Sequence, residues 1–170
     1  MYNPTPGRVG QPCPEGKKLA VMLDTALALL HHVLVFGLVA VLAAELALVN
    51  DAMDVPRLRQ VANLDLCYGT AAALLLAVGA YRVYFAGKGW DYYAANPFFW
   101  LKMLAFLILG LLSIGPTLRI LAWRKAEKAA PGTLPDANAV ADARRLIWAE
   151  VAVFPFIPLF AVLMAQGYGG

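Results

Sequence analysis

Charge is what this chain has least of. Of its 170 residues, 15% are Asp, Glu, Lys or Arg and 61% are hydrophobic, whereas a soluble domain carries about 25% charged residues. So little charge cannot clothe a water-facing surface, which excludes an ordinary soluble enzyme. Cysteine is scarce too. Cys13 and Cys67 make neither a disulfide framework nor a thiolate metal motif, and Cys67, inside an apolar run, reads as a small buried hydrophobe. Phosphate-binding glycine loops are missing, and so is any nucleophile–histidine–acid arrangement. Met53, Met103 and Met164 are too dispersed for a copper box. The net charge of +3 does not point to nucleic acid, because the basic residues cluster at the ends of apolar runs, where membrane topology explains them.

Long apolar runs are what the chain does have. Four meet the requirement of about 20 mostly apolar residues for a bilayer-spanning helix: 23–49, 64–85, 97–123 and 146–166. The first is too long for the roughly 7–15-residue core of a cleavable signal, so it reads as an anchor. The expected fold is all-α, a four-helix transmembrane bundle over 22–170 that follows a flexible Pro- and Gly-rich tail at 1–21. Pro97 suits the first turn of the third helix with Asn96 as N-cap. Gly115-Pro116 should kink or break that helix, and Pro155 and Pro158 should bend the fourth. Trp90, Tyr92, Tyr93 and Trp100 gather around one connection, while Trp123 and Trp148 flank another, as an aromatic belt would.

Lysine and arginine set the expected orientation. The first and third connections and their helix ends hold Arg57, Arg59, Arg119, Arg124, Lys125, Lys128, Arg144 and Arg145. The opposite side holds Arg8, Lys17, Lys18, Arg82 and Lys88. The positive-inside bias puts the first group in the cytoplasm and both termini on the exoplasmic side. The membrane expected is the bacterial inner membrane.

Ionisable residues within membrane helices are costly and mark functional sites by default. Here they sort into two layers. The inner layer has Glu45, Asp65, Arg119 and Glu150, with Arg144 and Arg145 near the edge. It reads as a structural ion-pair layer, or alternatively as part of a proton path. Only apolar residues and Gly37 separate Glu45 from His31 on the first helix, which counts against a path across the membrane. The outer layer has His31, His32, Arg82 and Lys102, and its acidic neighbours are Asp24 and Asp91 near the interface. A half-buried basic layer calls for an anion, water or deprotonation. A haem b would answer it, with His31 or His32 on the iron and Arg82 and Lys102 on the propionates. So would a quinone headgroup accepting hydrogen bonds. The plainer alternative has Arg82 and Lys102 snorkelling to the interface and one histidine bonding a neighbouring helix. Adjacent histidines stand about 100° apart on a helix. His31 shares a face with Glu45, fourteen residues on, and so is the inward candidate.

The runs LLHHVLVFGLVAVLAAEL (29–46), RVYFAGKGWDYYAANPFFWLKM (82–103) and LLSIGPTLRILAWR (111–124) resemble a bacterial family of predicted inner-membrane proteins of unknown function. The likeness extends over nearly all of 22–166. His31 or His32, with Lys102 in a Trp-x-x-x-Lys-like setting, is more weakly similar to HemJ-type protoporphyrinogen oxidases and to the membrane part of copper-resistance protein D. The HemJ likeness implies b-type haem, while the aromatic and glycine positions around these residues depart from that pattern. Three functions follow as expectations. The first is haem or quinone binding for electron transfer; the second, an accessory subunit packed against a membrane partner or a second copy; the third, proton or small-ion transport.

Overall fold

The computed structural model describes residues 14–85 and 89–169; Arg8, Cys13 and Lys88 lie outside them. Six helices follow in order: α1 (Pro14–Leu48), α2 (Val55–Phe85), α3 (Trp90–Ala95), α4 (Pro97–Ala129), α5 (Ala137–Val153) and α6 (Phe156–Ala165). No strand occurs among the described residues. Helices α1, α2, α4 and the α5–α6 pair are four candidate membrane spans, long and apolar enough to cross a bilayer. The expected all-α bundle of four long apolar helices is the fold observed.

The helices outrun their apolar stretches. The 35 residues of α1 measure about 50 Å at 1.5 Å per residue, more than the roughly 30 Å of bilayer hydrocarbon. Residues 14–21, expected in the flexible tail, form the first turns of α1. Pro14 suits a helix start, and Glu15 in the first turn complements the helix dipole. Helix α2 begins nine residues before its apolar run, because Asp54 caps it: its carboxylate accepts from the Arg57 amide at 2.8 Å. Asp136 likewise caps α5, accepting from the Ala139 amide at 2.9 Å. At its far end α4 continues past Trp123 through RKAEKA, mostly residues of high helix propensity.

Asn96 is the N-cap of α4, as expected, accepting from the Phe98 amide at 2.9 Å, with Pro97 opening the helix. Pro116 does not break α4, which runs unbroken to Ala129. Gly115 beside it serves packing instead. A Cβ there would lie 2.6 Å from Leu146 Cδ1, so glycine lets α5 approach α4 closely. The fourth crossing does divide, between Val153 and Phe156, around Pro155.

The bundle has two poles. At the terminal pole α1 starts, α2 ends, α4 starts and α6 ends; Arg82–Asp24 and Asn96–Tyr168 contacts join them. At the loop pole lie the α1–α2 and α4–α5 connections. There Arg144 donates to the carbonyls of Leu46 (2.7 Å) and Val49 (2.6 Å), closing the end of α1. Arg59 pairs with Glu127 at 2.8 Å, linking α2 and α4. The buried cluster of Leu38, Leu42, Val61, Tyr68, Ile120 and Ile147, with its neighbours, fills the bundle between these ends. Cys67 is exposed on the outer face of α2 rather than buried.

Candidate functional site: an aromatic cleft and a carboxyl layer

Near the terminal pole the helices part around a cleft of about 320 Å³. One wall is His31 on α1 with Gly79 and Tyr84 on α2; the other is Phe99, Lys102 and Phe106 on α4. Trp90 of α3 and Ile157 of α6 complete the lining. The residues expected in the outer layer separate here. His31 and Lys102 line the cleft. His32 is exposed and its Nδ1 sits 2.6 Å from the Ala28 carbonyl of its own helix. Neighbouring residues on one helix cannot face the same way, and the two imidazole planes stand 77° apart. Arg82 is held by Asp24 at 3.3 Å and is not part of the cleft lining. The acid was on the page in the sequence, but its pairing across α1 and α2 was not.

Two basic groups, His31 and Lys102, therefore line a largely apolar and aromatic space. His31 Nδ1 is buried and has no hydrogen-bond partner among the described residues. Gly79 makes room for the ring: a Cβ there would stand 3.4 Å from His31 Cε1. Lys102 Nζ lies over the Phe99 ring, 5.2 Å from its centroid, an arrangement that stabilises an ammonium or orients an amine. Tyr84 and Trp90 stack at 5.1 Å, nearly parallel, and Trp90 meets Phe99 and Trp100 edge-on. Aromatics expected as an interfacial belt thus also line the cleft, a position their composition did not reveal.

The short helix α3 is secured over this end. Trp100 Nε1 donates to the Ala94 carbonyl at 3.0 Å. Tyr92 Oη donates to the Met164 carbonyl at 3.4 Å. Asn96, 2% exposed, donates through Nδ2 to the Tyr168 carbonyl at 3.0 Å. One side chain thus caps α4 and fastens the end of the chain beyond α6.

The inner layer differs from the expected ion-pair network. Glu45, Asp65 and Glu150 are buried, yet none forms an ion pair among the described residues. Arg144 is spent on backbone carbonyls, Arg145 pairs with exposed Asp142 at 3.3 Å, and the Arg119 guanidinium lies along its own helix near Gly115. Hydroxyls take the place of arginines. Thr117 Oγ1 donates to Asp65 Oδ1 at 2.6 Å, and Tyr68 shares a side-chain hydrogen bond with Glu150. Both hydroxyls escaped the sequence reading. Tyr68, three residues after Asp65 and so on its face of α2, is the one that spacing could have found.

Among the described residues no three His, Cys, Asp or Glu side chains converge to hold a metal ion. No curated protein and no solved structure matches the chain. The family described as "Predicted membrane protein (DUF2214)" matches residues 23–169, which takes in all four spans, the cleft and the carboxyl layer. The chain is a multi-pass membrane protein and belongs to this DUF2214 family.

Proposed function

We propose that the cleft at the terminal pole binds a lipid-soluble quinone headgroup, in support of electron transfer. The observation that carries this reading is His31 Nδ1, buried and unpartnered in an aromatic cleft that Lys102 also lines. A buried polar atom without a partner is costly, and native proteins rarely leave one so. A flat headgroup with carbonyl oxygens would lie between the Trp90 and Phe99 walls and accept from Lys102. Its second oxygen would accept from the Nδ1–H tautomer of His31. When bound, a quinone takes up two electrons with two protons from a redox partner; His31 and Lys102 are the groups beside it able to pass protons.

A haem is less well supported. Arg82, which should neutralise a propionate, is engaged by Asp24, and His32 faces away. The cleft also sits at the lower end of the roughly 300–1,000 Å³ typical of small-molecule sites. In this reading the protein sits in a bacterial cytoplasmic membrane with the terminal pole exoplasmic. The loop pole, bearing Arg57, Arg59, Arg124, Lys125, Lys128, Arg144 and Arg145, would face the cytoplasm.

The test uses protein in lipid nanodiscs titrated with a short-chain ubiquinone or menaquinone analogue. Saturable quenching of tryptophan fluorescence is expected. It should weaken about tenfold or more in His31→Ala and Lys102→Ala, since a hydrogen bond to a charged group contributes about 1.5–3 kcal/mol. Unsaturable quenching, equal in wild type and both variants, would overturn the reading. So would a Soret band in the purified protein that disappears in His31→Ala, which would assign the cleft to haem.

A further inference from the structure

The carboxyl layer is separate from the cleft and has its own unexplained atom. Glu45 is 3% exposed, and its Oε1 has no hydrogen-bond partner among the described residues. Asp65 from α2 and Glu150 from α5 are its charged neighbours. Tyr68 lies within electrostatic reach of all three acids. From α4, Thr117 reaches Asp65. Of the basic residues on the packed helices, Arg119 of α4 and Arg144 of α5 stand within two turns of Thr117 and Glu150, and neither pairs with an acid among the described residues: Arg144 closes α1, and Arg119 turns back toward Gly115.

Three buried acids on three helices thus lie inside a membrane bundle, and none has an ion-pair partner among the described residues. Isolated carboxylates in such a place are strongly disfavoured. Either an inorganic cation or bound protons must balance the charge. The donor geometry bears on the choice, since no three metal-ligating side chains converge among the described residues.

We propose that Glu45 is a membrane-embedded proton-binding group, with Asp65 and Glu150 as its acidic neighbours and Thr117 and Tyr68 as their hydroxyl partners. The free Oε1 of Glu45 is where the exchangeable proton resides. Buried apolar residues flank the layer on both sides, Leu38, Leu75 and Leu109 toward the terminal pole and Val61, Ile120 and Ile147 toward the loop pole. Neither side offers a next acceptor, so the site binds and releases a proton rather than serving as a pore. Such interacting acids titrate as a unit, and the response belongs to the cluster.

A hydrophobic carbodiimide tests the site in nanodisc-embedded protein. The reagent needs a carboxylic acid: the acid's oxygen bonds the carbodiimide carbon while its proton moves to a carbodiimide nitrogen. Mass-spectrometric mapping at neutral pH is expected to find the adduct on Glu45. Labelling should fall at least several-fold in alkaline medium and stay unchanged when potassium is replaced by sodium or calcium. Suppression by sodium or calcium would overturn the proposal in favour of an inorganic cation. Infrared difference spectra supply a readout that needs no variant: the wild-type protein should show a carboxylic-acid C=O band that shifts in heavy water. Glu45→Gln, which keeps the side chain's shape, should reduce that band. A wild-type spectrum containing carboxylate bands alone would also overturn it. None of these outcomes bears on quinone binding.

Discussion

The two poles of this bundle solve the same difficulty in opposite ways. Both bury ionisable groups at membrane depth, where each is expensive. At the loop pole the helices close tightly around acids, and Leu38, Ile120 and Ile147 are fully buried nearby. At the terminal pole they part around bases and leave a cleft. A closed layer leaves room only for something as small as a proton or a bare cation, whereas an open one has space for a molecule. Packing, as much as the sign of the charge, separates the two proposed roles.

The contrast can be broken at several points. The largest stability loss is expected from Ile147→Ala in the closed half. Removing a buried branched side chain costs about 2–5 kcal/mol where the surroundings cannot collapse. Met103→Ala in the cleft wall should cost clearly less, because the side chain already borders open space. Thermal unfolding in one detergent compares them, and equal losses would deny the difference in packing. Next comes Arg144→Ala, which strips the carbonyls of Leu46 and Val49 of their donor. Leaving buried acceptors unsatisfied costs about 1–3 kcal/mol, and Arg144→Lys should recover part of it.

Gly79→Leu addresses the open half alone. A side chain there meets His31 at its first atom and should fill the cleft. Quinone-dependent fluorescence quenching is expected to drop at least tenfold, while carbodiimide labelling of Glu45 persists. Loss of both together would show that the poles are not independent. The smallest effect is expected from Arg145→Ala. Arg145 and its partner Asp142 are both exposed. Exposed pairs contribute about 0–1 kcal/mol, so the melting temperature should hardly move.

Much of the fold was legible in the sequence because lipid imposes a blunt requirement: each crossing must be long and apolar. Asn96-Pro97 and the Pro155 interruption were readable for similar local reasons. Helix ends were not, since Asp54, Asp136 and Pro14 start helices outside the apolar runs that define a span. Pro116 misled for another reason. Its neighbour Gly115 accommodates Leu146, and the tight α4–α5 contact supports a continuous helix. The site was readable only by depth. Periodicity singled out His31 over His32, and the structure turns His31 toward the cleft. Pairing across helices stayed hidden. Asp24 takes Arg82 from the outer set, and hydroxyls of Tyr68 and Thr117 stand where arginines were expected.

The division of the fourth crossing at Pro155 has a mechanical consequence. Ile157, just beyond the break, touches the cleft, and Glu150, shortly before it, belongs to the acid layer. Because these residues ride on two short rods rather than one, a tilt of α6 need not lever Glu150 out of register. The uninterrupted α4, carrying Lys102 at one level and Thr117 at another, is the beam that would transmit strain between the levels, so any crosstalk should run along it.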